Sequence, residues 1–457
     1  MITLRPYQDD ALNDVRAALT RNKAVLLQSP TGSGKTALAV TMLGNARQKG
    51  LRSFFICHRV ELVDQTSRMF DEVGVPHGFI VAGRRPDPYQ LVQVCSVDTL
   101  RNRLAAIEHP KLCVWDECHH VAAAGWSKIL ETYKDAYHVG LSATPERLDG
   151  RGLGNWFNEI VEGKPVLWLI ENNWLCEYKL YDTSHNLNVE NLSIKMGDYD
   201  KTQLQQTMDK PTITGDAIAH YKRLCNGKRA VIFAVSVMHS KNVVEQFNAA
   251  GIVAEHVDGA TEKGERAAII GRFRRGETTV LSNVQLIYEG FDLPDIEAII
   301  MLRPTASLGL YLQMVGRALR PTEGKHHAII IDHVGNRLRH GLPCDVHKWS
   351  LEAKKRKKKG EITVSVRQCP RCFAVHKPLS TCPECGYLYP VQPLREVDVV
   401  EGELKEVDLK AARRERMKEQ GRARSYDELV VLGKQWGYKS PYMWAQCILK
   451  ARGKLRR

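Results

Sequence analysis

Nowhere in the 457 residues does an apolar run approach the ~20 residues that a membrane span requires. The first residues, Met1-Ile2-Thr3-Leu4-Arg5-Pro6, lack the apolar core of a secretory leader. Both absences lead us to expect a cytoplasmic protein with no membrane partner. Cysteine is sparse and irregular: of twelve, four fall in two C-x-x-C pairs and the rest are scattered. That excludes a disulfide framework and suits free thiols plus one metal site in a reducing compartment. The length allows two or three domains, each with its own core.

Acidic charge is short in one region only. The chain has 66 Lys+Arg against 52 Asp+Glu, a formal charge of +14. Residues 346–457 carry 26 basic and 13 acidic side chains, a net of +13, which leaves 14 − 13 = +1 for the first 345. A nearly neutral front with a basic tail points to a polyanionic partner, nucleic acid first; solubility alone is the plainer explanation.

The most informative stretch present is Gln28-Ser29-Pro30-Thr31-Gly32-Ser33-Gly34-Lys35-Thr36, after the apolar run Ala24-Val25-Leu26-Leu27. A strand, a glycine-rich loop and a helix cradle phosphate, because glycines turn backbone N–H groups inward and the helix N-terminus favours negative charge. Lys35 should reach the β- and γ-phosphates of a nucleotide, and the Thr36 hydroxyl should hold Mg²⁺. Ser29 stands where the pattern G-x-x-x-x-G-K-[ST] has its first glycine. A Gly/Ser turn before an ordinary helix is therefore the competing reading.

Upstream, Leu4-Arg5-Pro6-Tyr7-Gln8 precedes a helix expected over 10–19. The Gln8 amide both donates and accepts, which suits an adenine edge, with Tyr7 or Arg5 stacking on the ring. Downstream, strands are expected at 53–57, 92–100 (running into a helix start), 112–115 and 138–145, alternating with helical segments. Such alternation implies a doubly wound parallel sheet with its ligands at the carboxyl ends of the strands. Asp116-Glu117 lies at one such end, and an acidic pair there is costly to bury without a cation. Asp116 suits Mg²⁺, and Glu117 suits activation of an attacking water.

Ser-Pro-Thr-Gly-Ser-Gly-Lys-Thr, then Asp116-Glu117-Cys118-His119, then Ser142-Ala143-Thr144 resemble motifs I, II and III of the superfamily 2 helicases of the DEAD/DEAH-box kind. Residues 144–153 resemble bacterial and bacteriophage helicases related to type III restriction subunits. In the second half, residues 229–236 resemble motif IV, residues 280–294 motif V, and Gln313-Met314-Val315-Gly316-Arg317-Ala318-Leu319-Arg320 motif VI. The resemblance implies two tandem RecA-like domains, over 1–165 and 166–345, that share one ATP and Mg²⁺. It also implies a DNA helicase or translocase of a bacterial or phage-infected cell, acting on single-stranded or forked DNA beside replication or repair proteins. Gln8 and Thr31, Gly32, Ser33, Gly34, Lys35 and Thr36 would bind nucleotide, with Asp116 and Asp292. Glu117, Gln313, Arg317 and Arg320 would carry hydrolysis, the two arginines facing one way from a single helix. Arg59, Thr99 and Ser236 would touch the nucleic-acid backbone, and Ser142 and Thr144 would couple that track to ATP. An RNA helicase, a duplex translocase that does not unwind and a binding protein with a lapsed motor are the alternatives. Tyr288 departs from the family, where Thr is common.

Lys354-Lys355-Arg356-Lys357-Lys358-Lys359 lies within a basic linker, 346–365, that either binds phosphate or stays solvated. Cys369-Pro370-Arg371-Cys372 and Cys382-Pro383-Glu384-Cys385 are nine residues apart. Four thiolates so spaced suit a structural Zn²⁺ in a ribbon over 366–390; a redox dithiol is the alternative. Residues 391–424 read as a charged connector. From 425 to 457 a capping-box pattern, Ser425 with Glu428, and the start Ser440-Pro441 predict a basic helical hairpin.

Overall fold

A computed structural model describes residues 3–121, 124–147, 150–183, 192–195, 198–200, 203–204, 211–284, 286, 293, 296–352, 367–368, 375–376, 404–407, 417–436 and 440–452. The chain divides into two compact units, 1–353 with 403–457, and 354–402. Asp292 and the four paired cysteines, Cys369, Cys372, Cys382 and Cys385, lie outside the described residues. No described helix is long and apolar enough to cross a membrane.

The first lobe is a parallel sheet of seven strands: β1 (Ala24–Gln28), β2 (Ser53–Cys57), β3 (His77–Ile80), β4 (Val92–Ser96), β5 (Leu112–Asp116), β6 (Tyr137–Ser142) and β7 (Glu159–Glu162). Their order is β3-β4-β2-β5-β6-β1-β7. Both faces are covered, by α1 (Pro6–Leu19), α2 (Lys35–Gln48) and α3 (Val60–Glu72) against one apolar cluster, and by α4 (Val97–Asn102) and α5 (Ala124–Thr132) against the other. The central strands β1 and β2 are buried at every position and mostly apolar, because both faces of the sheet are covered. The edge strands β3 and β7 are mixed in character and have no apolar run in the sequence.

A linker, α6 (Val166–Glu171) and the turn after it, leads into the second lobe. Asn173 there has φ 59°, a left-handed conformation that asparagine tolerates. The second sheet contains β8 (Glu177–Thr183), β11 (Ala230–Phe233), β12 (Ala254–Val257), β13 (Val280–Asn283), β14 (Ala298–Met301) and β15 (His327–Asp332), all parallel, in the order β12-β13-β11-β14-β15-β8. A short antiparallel pair, β9 (Ile194–Lys195) and β10 (Asp198–Tyr199), lies between β8 and the next helix. That helix is α7 (Pro211–Cys225), followed by α8 (Val237–Ala249), α9 (Lys263–Arg275), α10 (Leu308–Ala318) and α11 (Asn336–His340).

In the second unit β16 (Arg367–Gln368) pairs antiparallel with β17 (Val375–His376), one on each side of the first cysteine pair in the sequence. β18 (Leu404–Val407) then adds to β8 as an antiparallel edge. Part of the expected charged connector is therefore strand, held by ladder hydrogen bonds to an open sheet edge that its charge pattern does not signal. Beyond it, α12 (Tyr426–Gln435) opens on Ser425, whose hydroxyl accepts from the Glu428 N–H at 3.1 Å. α13 (Pro441–Ala451) packs on α12 through Leu429, Val430, Ala445 and Leu449.

Candidate nucleotide site

The loop between β1 and α2 takes its shape from two glycines. Gly32 and Gly34 both have φ 87°, where a side chain is strained. A Cβ on Gly32 would lie 2.9 Å from Leu175 Cδ2 of the linker, and one on Gly34 would run into the Gln8 amide. Ser29, by contrast, is not in the left-handed region, so glycine is not needed there. Its hydroxyl instead meets that of Ser33 at 2.6 Å, and Ser33 Oγ donates to the Pro30 carbonyl at 2.7 Å. These bonds tighten the loop from within. Thr31 and Thr36 flank this turn, half-buried.

α1 begins at Pro6, four residues earlier than the apolar spacing predicts, because proline is favoured in a first helical turn. Gln8 consequently sits in that turn, buried. Its Oε1 accepts from the Arg5 N–H at 2.9 Å, and its Nε2 donates to the Ser33 carbonyl at 2.9 Å. The Tyr7 hydroxyl donates to the same carbonyl at 2.8 Å. The amide expected to read adenine thus holds the phosphate loop in this structure. Arg5 lies over Trp174, 4.8 Å from the ring centroid, and Tyr7 packs on Trp168 and Trp174. The sequence reading missed the linker tryptophans, which carry no local motif.

Lys35 points back over the loop, donating to the Ser29 carbonyl at 3.2 Å and the Pro30 carbonyl at 3.4 Å. Burial lowers its pKa; the charges of Glu117 and Asp116 oppose the shift. Burial, then the neighbouring Glu117 charge, push Asp116 up to about 6, with Lys35 opposing. Glu117 adopts φ 47°, a left-handed conformation unusual for a glutamate and typical of strained functional positions. Its Oε2 is buried without a hydrogen-bond partner, 3.4 Å from His119 Nδ1. A buried acidic pair facing a lysine, with one oxygen unsatisfied, fits a divalent cation and a water. Asp116 and Thr36 would hold such a cation, and it would supply positive charge at the phosphates.

A polar chain leads away from this pair. His119 Nδ1 is 3.2 Å from Ser142 Oγ, and the Thr144 N–H donates to that oxygen at 3.2 Å. Thr144 Oγ1 lies against Gly309 of α10, where a Cβ would be 3.1 Å away. Ser142 and Thr144 are therefore packed between the acidic strand end and the second lobe, and His119 is a link the sequence reading did not assign.

The second lobe meets the loop through α10. A Cβ on Gly316 would lie 2.5 Å from Thr31 Cβ, so only glycine allows this approach. Gln313 and Arg317 are buried on the same helix. Arg320 follows the helix rather than lying on it, because Pro321 disfavours helical backbone in the preceding residue. Its Cγ is still only 3.4 Å from where a Gly32 Cβ would be. The charges of both arginines act on Lys35. Upstream of α10, Asp198 Oδ2 pairs with Arg303 at 2.7 Å, while Oδ1 accepts from Thr305 Oγ1 at 3.0 Å and the Ala306 N–H at 2.8 Å. These groups lie over a hundred residues apart in sequence, with no spacing to announce them.

The three residues expected along the nucleic-acid track are placed differently from one another. Arg59 Nη1 donates to the Leu286 carbonyl of the second lobe at 3.4 Å. Thr99 is buried, and its hydroxyl accepts from the Ala82 N–H at 3.0 Å. Ser236 caps α8, accepting from the His239 N–H at 3.0 Å.

Two family models match the chain: the type III restriction enzyme res subunit over residues 1–147, and the helicase conserved C-terminal domain over residues 216–322. A 51.5 kDa protein of a Lactococcus phage (isolate 7-9) is 38% identical over 84% of this chain and 82% of its own length. The DNA 3'-5' translocase XPB2 of Sulfurisphaera tokodaii is 23% identical over 70% of this chain and 79% of its own. Among solved structures, the ATP-dependent type ISP restriction-modification enzyme LlaBIII bound to DNA superposes with a TM-score of 0.54 at 17% identity. That match covers 72% of this chain but only 28% of the larger enzyme, and it shows the tandem RecA-like fold. With both sheets, the lysine loop and the acidic pair in place, the chain belongs to the ATP-hydrolysing superfamily 2 helicases related to restriction-enzyme helicase subunits.

Proposed function

We propose that this protein is a DNA motor that couples ATP hydrolysis to movement along, or unwinding of, single-stranded or forked DNA. The observation that carries this reading is the approach of Gly316 to Thr31, which brings Arg317 and Arg320 of one lobe to the lysine loop of the other. Lys35 neutralises the β- and γ-phosphates, Thr36 and Asp116 hold Mg²⁺, and Glu117 takes the proton of the attacking water. Arg317 and Arg320 stabilise the transition-state charge from the second lobe, with Gln313 beside them. Since one triphosphate is shared by two lobes, its cleavage loosens their contact and shifts them along a bound strand.

The path from Glu117 through His119, Ser142 and Thr144 to Gly309 supports coupling of hydrolysis to lobe movement. Arg59 lines the strand track; for Thr99 and Ser236 the role is indirect, through the loops they hold. Asp292 completes the nucleotide site by family resemblance. The four cysteines bind a structural Zn²⁺ between the motor and the basic helical tail, and both additions grip DNA through its phosphates. The relative XPB2 is named as a DNA translocase, which supports DNA as the substrate. Replication or repair proteins are the partners this activity suits, in the cytoplasm of a bacterial or phage-infected cell.

The deciding experiment measures ATPase rate with single-stranded DNA, duplex, forked DNA and RNA, using Lys35→Ala as the inactive control. Strongest stimulation by single-stranded or forked DNA supports the proposal. A best response to RNA, or turnover that persists in Lys35→Ala, overturns it.

A further inference from the structure

The first sheet has a second concavity at its other end, at the amino ends of β5 and β6, remote from the lysine loop. It is a groove of about 410 Å³ between α1 and α2. Leu12, Val15 and Leu19 of α1, Met42 of α2, and Leu112 and Val139 of the sheet form an apolar floor. The α1 residues repeat at helical spacing; Leu12 and Val15 are buried, and Leu19 at the end of the helix is only partly covered. Leu51 and Tyr137 at the margin are 38% and 41% exposed.

The rim is mostly basic. Arg16, Lys23, Lys49 and Lys111 surround the floor, and Asp135 is the one acidic side chain of the lining. None of the four cations forms an ion pair among the described residues. Lys23 Nζ lies over the Tyr137 ring at 4.4 Å and donates to the Asp135 carbonyl, not the carboxylate. A groove with apolar walls, partly open at Leu19, Leu112, Leu51 and Tyr137, and with cations free of ion pairs along its rim, is complementary to an amphipathic anion.

We infer that this groove docks a partner protein through a short segment that combines acidic residues with large apolar side chains. Its volume is that of a pocket for a few side chains rather than a whole domain. The floor is aliphatic and its one aromatic ring is already covered by Lys23, so it offers no platform on which bases stack. It also lies at the opposite strand ends from the nucleotide loop. The segment's carboxylates would meet the lysines while its apolar side chains fill the floor.

The test selects a random dodecapeptide phage library on the full-length protein and counter-selects on the double variant Lys49→Glu/Lys111→Glu. Both side chains are exposed and outside the nucleotide site, so melting temperature and basal ATPase are expected to stay at wild-type values. The expected result is enrichment of sequences with Asp or Glu next to Leu, Ile, Phe or Trp. A fluorescein-labelled consensus peptide should then bind about tenfold or more weakly to the double variant. Leu51→Asp at the margin should weaken it as well, which separates the apolar contribution from that of the cations. The inference fails if no peptide distinguishes wild type from variant, or if the enriched peptides are neutral or basic. It fails equally if the variants instead lose affinity for a labelled oligonucleotide, or lose self-association in sedimentation, since the groove would then belong to nucleic acid or to a second copy.

Discussion

Glu117 combines a left-handed backbone, a buried carboxylate and an unsatisfied oxygen, and each feature costs free energy that an inert residue would not retain. If it is the proposed base, Glu117→Gln should lower kcat by roughly 10²- to 10⁴-fold while nucleotide binding persists. Single-turnover ATPase alongside a binding assay with fluorescent nucleotide would check this. His138 offers a separate test, of stability. Its Nδ1 accepts from the Trp115 indole N–H at 3.0 Å, so the proton sits on Nε2, which donates to the Tyr133 carbonyl at 3.0 Å. Burial pushes its pKa down to about 4, whereas the unfolded chain titrates near the ordinary 6.5. Below pH 6.5 the unfolded state therefore binds the extra proton. The stabilisation is complete above pH 6.5 and is lost as pH falls toward 4, by roughly 3 kcal/mol at most. Urea titrations at several pH values should show a steeper loss in wild type than in His138→Gln.

At the scale of elements, α10 is the piece whose position matters most, and its entry loop is fixed from outside the helix. Asp198 reaches it from the β9–β10 hairpin and holds Arg303, Thr305 and Ala306 together. Removing one member of a buried, hydrogen-bonded ion pair typically costs about 3–5 kcal/mol. Asp198→Ala should do so here, and should also lower ATPase by displacing Arg317 and Arg320. Asp198→Asn keeps an acceptor for Thr305 and Ala306, so denaturant midpoints should rank wild type, Asn, Ala. The helix itself was legible in sequence, because Gln313, Gly316 and Arg317 lie within one motif. Its brace was not, because a hydrogen bond between residues 198 and 305 leaves no periodicity. The edge strands β3, β7 and β18 were missed for a related reason. Edges are half-solvated, and their mixed composition resembles that of loops.

At the scale of the whole molecule, the two lobes touch around the loop: Thr31 against Gly316, Thr144 against Gly309, and Arg59 with the Leu286 carbonyl, while Leu175 of the linker packs against Gly32. A nucleotide bound between them should stabilise both at once. At a hundredfold excess over Kd a non-hydrolysable ATP analogue with Mg²⁺ should add about 2.7 kcal/mol. Calorimetry should show the two lobes shifting together. In Gly316→Ala the added methyl forces α10 away from Thr31, so the analogue's stabilisation should shrink and turnover should fall on the order of 10²-fold. Equal stabilisation in that variant would mean that the second lobe contributes nothing to nucleotide binding.

By itself the sequence determined the two parallel-sheet lobes, the phosphate loop, the acidic pair and the arginine motif. Each is a short-range pattern: a buried strand is mostly apolar, a left-handed turn asks for glycine, and catalytic groups sit at strand ends. Only the tertiary structure decided which groups meet. It turned Gln8 onto the loop, brought Trp174 and Leu175 back from the linker, and seated Arg320 beyond its helix. It also joined Asp198 to Arg303 and set four cations around a partly open apolar groove. Those outcomes depend on where separate segments come to rest, and close packing settles that only once the whole core has formed.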